Sequence, residues 1–201
     1  APGVRYAFPT PVRATGVGVF LDLKLHDIPN TVAGGMRAVV DLAPTFITIH
    51  ASGGREMMKA AVEEAGSQAA KQNVARPRLL GVTVLTSLDR ADLESTGVDA
   101  DPSDKVLRLA TLAQESGLDG VICSPHEIAA LRKQCGPDFV LMVPGIRPVG
   151  SAANDQKRAM TPRQAVDLGA TNLVVGRPIY QAQDPRAAAE AIAREAGVND
   201  L

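Results

Sequence analysis

Three charged side chains fall within six residues of an otherwise apolar run: Asp22, Lys24 and Asp27 in Phe20-Leu21-Asp22-Leu23-Lys24-Leu25-His26-Asp27-Ile28-Pro29-Asn30-Thr31. Asp and Lys are poor strand formers and are rarely buried unless paired. On an extended chain Asp22 and Lys24, two residues apart, point to the same side. Asp27 follows where the chain turns at Pro29. Charges grouped at the carboxyl end of a parallel strand usually mean chemistry. The plainer alternative is an ion pair at a strand end. A second group lies late in the chain. Val174-Val175-Gly176-Arg177 joins a glycine, which lets backbone N–H groups approach closely, to an arginine with a bidentate fork for phosphate. Pro144-Gly145-Ile146-Arg147-Pro148 offers another arginine in a similar place. The alternative for Gly176-Arg177 is a loop turn with a solvated Arg. The long polar segment Pro148–Met160, which contains Gln156, reads as a lid over a phosphorylated ligand or as a surface loop.

The elements that must position these groups are legible as a rhythm. Apolar, β-branched runs recur at Val17–Leu25, Phe46–His50, Leu79–Leu85, Gly120–Cys123, Phe139–Val143 and Asn172–Val175. They are continuously apolar, as in strands buried on both faces. Helical patterns alternate with them at Thr31–Leu42, Arg55–Gln72, Ser103–Ser116, Pro125–Cys135, Pro162–Leu168 and Pro185–Glu195. Ser124-Pro125-His126-Glu127 and Thr161-Pro162-Arg163-Gln164 carry a cap, a proline and a capping-box partner. Asp184-Pro185 repeats the cap-then-proline device, and Gly117, Gly136, Gly169 and Gly197 stand where helices end. Alternating strands and helices predict a single α/β domain over residues 1–201 with a parallel sheet, either a (β/α)8 barrel or a doubly wound fold. Both place ligands at the carboxyl ends of strands. Those ends carry Asp22, Lys24 and Asp27, then His50, Thr86-Ser87, Ser124, Arg147 and Gly176-Arg177.

Composition narrows the class. The 201 residues carry a formal net charge of -1, which argues against nonspecific attraction to nucleic acid or membranes. Aromatics are 3% with no Trp, too few for a base-stacking platform. The two cysteines, Cys123 and Cys135, have no metal spacing and fit reduced thiols of a cytoplasmic protein. No leader or membrane-spanning run is read. The histidines His26, His50 and His126 lack a metal pattern and a nucleophile partner and are read as structural or as supporting the residues that touch a ligand. Gly34-Gly35, inside a helical pattern, is read as allowing close packing.

With these residues in view, the segment Asp22 to Thr31 resembles orotidine 5′-phosphate decarboxylases of the bacterial form. Val82-Thr83-Val84-Leu85-Thr86-Ser87 resembles that family's pyrimidine-contacting segment. Pro144 to Pro148, Asp155-Gln156-Lys157-Arg158 and Val175-Gly176-Arg177-Pro178-Ile179 resemble its phosphate-binding set. The resemblance implies a (β/α)8 TIM barrel working as a homodimer, without metal or organic cofactor. It implies conversion of orotidine 5′-monophosphate to uridine 5′-monophosphate in pyrimidine biosynthesis. By similarity Lys24 donates the proton beside Asp22, while Asp27 and Thr31 reach into the partner subunit's site. Thr86 contacts the pyrimidine, and Arg147, Gln156, Gly176 and Arg177 hold the phosphate. The family's first two strands supply an Asp and a Lys that should precede residue 17. Residues 1–16 contain neither, so the sequence is read as lacking its first one or two strand-helix units. Two alternatives are a Mg²⁺-dependent sugar-phosphate decarboxylase or synthase of the same superfamily, and a non-catalytic phosphate-ligand-binding barrel.

Overall fold

The β-branched runs form strands and the capped segments form helices, as the pattern requires. The computed structural model describes residues 15–149 and 160–198. Six strands, β1 (Phe20–Leu25), β2 (Phe46–His50), β3 (Arg78–Val82), β4 (Gly120–Ile122), β5 (Val140–Val143) and β6 (Asn172–Leu173), make one sheet in chain order. Every adjacent pair is parallel. The principal helices are α1 (Pro29–Val39), α2 (Arg55–Gln72), α3 (Arg90–Ser95), α4 (Pro102–Glu115), α5 (Ile128–Cys135), α6 (Pro162–Asp167), α7 (Arg177–Tyr180) and α8 (Pro185–Glu195).

A strand order without reversal separates the two architectures left open above. A doubly wound sheet reverses its order at a switch point, whereas a consecutive order keeps the helices on one face and lets the sheet curl. Residue parity agrees. Odd-numbered strand residues such as Leu21, Ile47, Ile49, Leu79, Val121, Leu141, Val143 and Leu173 pack in the large core shared with the helices. Even-numbered residues form a separate cluster on the other face: Leu80, Val140 and Met142, flanked by Phe20, Phe46, Ile122 and Val174. The described residues are therefore a curled, parallel half-barrel of α/β type.

Several local expectations are met by observed geometry. Thr161 Oγ1 accepts the Gln164 N–H at 3.3 Å, and Gln164 Oε1 accepts the Thr161 N–H at 3.2 Å. The Glu127 carboxylate accepts the Ser124 N–H at 2.6 Å, and Asp184 accepts the Ala187 N–H at 2.9 Å. Gly35 does permit close packing, since a Cβ there would lie 3.0 Å from Leu25 Cδ1; Gly34 is not crowded in this way.

Other expectations need correction. Helix α1 begins at Pro29, before the expected Thr31, because proline at the first helical position needs no N–H partner. Residues Val40–Leu42 continue it as a 3-10 turn. The β1 segment is shorter than Val17–Leu25, and Val17 is 60% exposed. Strand β1 is bonded on one side only among the described residues, and its charged residues Asp22 and Lys24 are exposed rather than buried. Helix α3 was not foreseen. It is held by an Asp89–Asp92 capping box rather than by an apolar stripe.

Gly120 is the tightest point of the sheet. A Cβ there would collide with the carbonyl oxygen and Cβ of Val140 on the neighbouring strand. Backbone cannot swing aside as a side chain can, so Gly120→Ala is expected to cost roughly 3 kcal/mol or more. Urea unfolding midpoints of the two proteins check this.

Candidate active site

The carboxyl end of β1 is shaped by an irregular ladder. Leu21 pairs with Ile47 and Leu25 with Ile49, so four steps on β1 oppose two on β2. The excess is taken up at residues 22–24, where Lys24 has φ +50°. A side chain in the left-handed region costs of order 1 kcal/mol or more, and such strain persists where the surroundings over-determine it. Here the surroundings are specific. The Lys24 amide donates to Thr48 Oγ1 at 2.9 Å, and the Thr48 hydroxyl donates to Asp22 Oδ1 at 2.8 Å. Lys24 Nζ donates to Asp22 Oδ2. The two charged side chains remain 41% and 44% exposed. An ion pair this open contributes about 0–1 kcal/mol to folding. The charged pair at the bulge is thus open rather than buried.

Beside the pair lies a cavity of 200 Å³. Phe20, Val82, Val84, Leu85, Ile122, Cys123, Pro144 and Val174 give it apolar walls, and Asp22, Lys24 and Thr86 bring polar groups to it. It therefore joins the carboxyl ends of five strands. Of the residues expected from sequence, the structure brings Asp22, Lys24 and Thr86 together here. Among the described residues Asp27 makes no ion pair with Lys24; its Oδ1 accepts the Ile28 N–H at 2.7 Å, at the start of α1. Asp27 and Thr31 are exposed beside Ile28, itself 66% exposed.

Arg147 and Gly176-Arg177 follow β5 and β6, neighbouring strands of the sheet. Arg147 Nη1 donates to the Ile146 carbonyl at 2.8 Å, and the Arg147 amide donates to the Met160 carbonyl at 2.9 Å. The bridge between Ile146 and Met160 ties the two ends of the polar segment together. Gly176 lies at φ -109°, ψ -94°, and its carbonyl accepts from Ile179 and Tyr180 as α7 begins. Gln156 lies outside the described residues. So does most of the segment read as a lid.

Sequence reasoning missed Thr48, which is fully buried at the centre of the site. The only signal was a hydroxyl inside the β-branched run Phe46–His50. It also missed a stacked pair: the rings of His26 and His50 lie 5.0 Å apart. His126 is exposed in a 3-10 turn, away from this pair. Burial first, then the nearby His26 and Lys24, hold the His50 pKa below its ordinary 6.5, against a smaller opposing pull from Asp22. The native protein therefore binds this proton less readily than the unfolded chain. Stability from His50 is complete above the unfolded value and is lost as pH falls below about 6.5. Melting temperatures from pH 7.5 to 5 should fall more steeply for the wild type than for His50→Gln.

Cys123, at the cavity wall, and Cys135 are free and buried; burial pushes both thiols above their ordinary range, which makes them poor nucleophiles. Among the described residues no helix is long and apolar enough to cross a membrane.

Comparisons with known proteins bear on this arrangement. A family model described as orotidine 5′-phosphate decarboxylase / HUMPS family matches residues 10–192. The orotidine 5′-phosphate decarboxylase of Paramagnetospirillum magneticum is 54% identical over 187 residues, covering 93% of this chain and 80% of that protein. The enzyme of the same name from Moorella thermoacetica is 51% identical over 185 residues, covering 92% of this chain and 73% of its own. Among solved structures, orotidine 5′-phosphate decarboxylase from Lactobacillus acidophilus superposes with a TM-score of 0.83 at 41% identity, covering 94% of this chain and 79% of that one. With a matched family model across most of its length and relatives above half identity, this chain belongs to the orotidine 5′-phosphate decarboxylase / HUMPS family.

Proposed function

We propose that this protein is an orotidine 5′-phosphate decarboxylase, a carboxy-lyase that converts orotidine 5′-monophosphate to uridine 5′-monophosphate in pyrimidine biosynthesis. The observation that carries the reading is the Asp22–Lys24 pair at the rim of an apolar-walled cavity, in a chain of this family.

The chemistry follows from charge. Breaking the bond between C6 and the carboxylate releases CO2 and leaves its electron pair on C6, with no adjacent group to delocalise it. The ammonium of Lys24 stabilises that developing carbanion and then transfers a proton to C6, leaving a neutral amine. Asp22 keeps the ammonium aligned. It also repels the substrate carboxylate, and that repulsion is relieved as neutral CO2 departs. The apolar walls exclude water and so strengthen each charge interaction. The cavity is smaller than the roughly 300 Å³ at which sites usually enclose whole ligands, which suits the pyrimidine beside Thr86 with ribose and phosphate lying across the ends of β5 and β6. There Arg147, Gly176 and Arg177 bind the phosphate, and Gln156 is assigned to the same role from the sequence. The binding energy of that remote end holds the reacting end in place.

The working form is a (β/α)8 barrel acting as a cytoplasmic homodimer, with no metal or organic cofactor. Six strands in consecutive order need two more to close. Asp27 and Thr31, exposed beside Ile28, serve the partner's site. The decisive assay follows loss of the orotate chromophore by ultraviolet absorbance, with EDTA present. Turnover to uridine 5′-monophosphate is the expected result; a purified, folded dimer that leaves the absorbance unchanged would sink the reading.

A further inference from the structure

The irregular ladder between β1 and β2 removes backbone partners where the reactive lysine stands. Leu21 and Leu25 keep their places opposite Ile47 and Ile49, and only Thr48 lies between those two on β2. A regular ladder has no place for the extra residues, so the Lys24 amide needs another acceptor. It finds one in a side chain, Thr48 Oγ1, at 2.9 Å. That bond also fixes the direction of the hydroxyl proton. A carboxylate offers only acceptors, so the Thr48 O–H must point at Asp22 Oδ1, 2.8 Å away. The other oxygen of Asp22 accepts from Lys24 Nζ. Three hydrogen bonds thus form a ring that leaves Lys24 at its backbone, passes through Thr48 and Asp22, and returns at the tip of the same side chain. Thr48 is wholly buried, while the two charged side chains are open to the cavity.

We propose that Thr48 is a positioning residue for the reaction: its hydroxyl aims Lys24 Nζ and the Asp22 carboxylate by holding both ends of the lysine against one buried point. This rests on the reading of Lys24 as proton donor. No other side chain of the described residues hydrogen-bonds both the backbone of Lys24 and the carboxylate of Asp22. Valine has the shape of threonine but neither donor nor acceptor. It leaves the Lys24 amide unpaired and one oxygen of Asp22 without its donor. Misplacement of a reacting group by about 1 Å costs on the order of 10²-fold in rate. Arg147, Gly176 and Arg177 follow other strands, β5 and β6.

The test begins with wild-type turnover of orotidine 5′-monophosphate; its absence defeats the reading of the site before any variant is made. Thr48→Val is then compared with Thr48→Ser, with kcat counted per site titrated by uridine 5′-monophosphate. The expected result is a kcat lowered roughly 10- to 100-fold by valine, KM within about threefold of wild type, and recovery to within about threefold by serine. If the valine protein does not fold, Thr48→Ala against Thr48→Ser makes the same contrast, serine active and alanine impaired. Equal rates for the hydroxyl and non-hydroxyl members of either pair overturn the proposal. Hydrogen exchange gives a readout independent of turnover: the Lys24 amide should exchange at least about tenfold faster in the valine or alanine protein than in Thr48→Ser. An unchanged Lys24 amide also overturns it.

Discussion

Lys24→Ala should lower turnover of orotidine 5′-monophosphate by roughly 10⁴-fold or more while leaving the protein folded and able to bind uridine 5′-monophosphate. A positioned proton donor alone supplies on the order of 10² to 10⁴, and a fixed charge facing a developing anion supplies a similar factor. Losing 10⁴ corresponds to about 5.5 kcal/mol in the barrier. The cost to folding is small by comparison. The Asp22–Lys24 pair is more than two-fifths exposed on each side, and open pairs contribute about 0–1 kcal/mol. Removing the long side chain also leaves the apolar cluster on the same sheet face intact, since Phe20, Phe46, Leu80, Ile122, Val140, Met142 and Val174 are all retained. Nucleotide affinity, measured by calorimetry, should persist because Arg147 and Arg177 follow β5 and β6, strands apart from β1. Rates within about tenfold of wild type would show that another group delivers the proton.

Mixing two inactive proteins should restore activity. Among the described residues Asp27 makes no ion pair with Lys24, and it lies on an exposed segment beside Ile28. In the proposed dimer each site takes Lys24 from one subunit and Asp27 from the other. A two-fold axis makes that exchange reciprocal. Lys24→Ala and Asp27→Ala homodimers are then both defective at every site. In a mixed dimer one site collects both changes and the other collects neither. Random pairing of equal amounts makes half of the dimers mixed, so recovery should approach about a quarter of wild-type activity. The measurement is specific activity after co-refolding, with each parent refolded alone as its baseline. If Asp27 serves its own subunit, the mixture stays at the level of the parents.

The parts of this molecule that were legible in its sequence are those written in local chemistry. Thr161 and Gln164 announce a helix start because the two side chains satisfy each other's backbone, and the structure makes both bonds. The strand runs were visible because both sheet faces demand apolar residues. Asp22 and Lys24 stood out because charge interrupts such a run. What was hidden depends on contacts between segments. Threonine is a good strand former, so Thr48 looked ordinary within Phe46–His50 until β1 was placed beside it. The left-handed backbone at Lys24 follows from the ladder mismatch with β2, which no reading of β1 alone contains. The openness of β1 is likewise a property of its neighbours. Helix α3 escaped notice because it is short and polar, held by two aspartates rather than an apolar face. Asp27 was read with the charge cluster from its spacing, yet its carboxylate satisfies the adjacent Ile28 amide.

The strand order has a further consequence, for how the chain reaches this state. Each described strand bonds only to the strands immediately before and after it in the chain. Among the described strands no pairing waits for a distant segment, so up to the closure of the barrel loop-closure entropy is met in small instalments. A ribosome adding about 5–20 residues per second delivers one strand-helix unit every few seconds. Helices and local contacts form in microseconds to milliseconds, so each unit can dock on its predecessor before the next emerges. At the growing end of the sheet the edge is then always the newest strand, covered within seconds by its successor, while among the described strands the opposite edge stays at β1. Vectorial synthesis itself thereby limits how long an unpaired edge is presented to other chains.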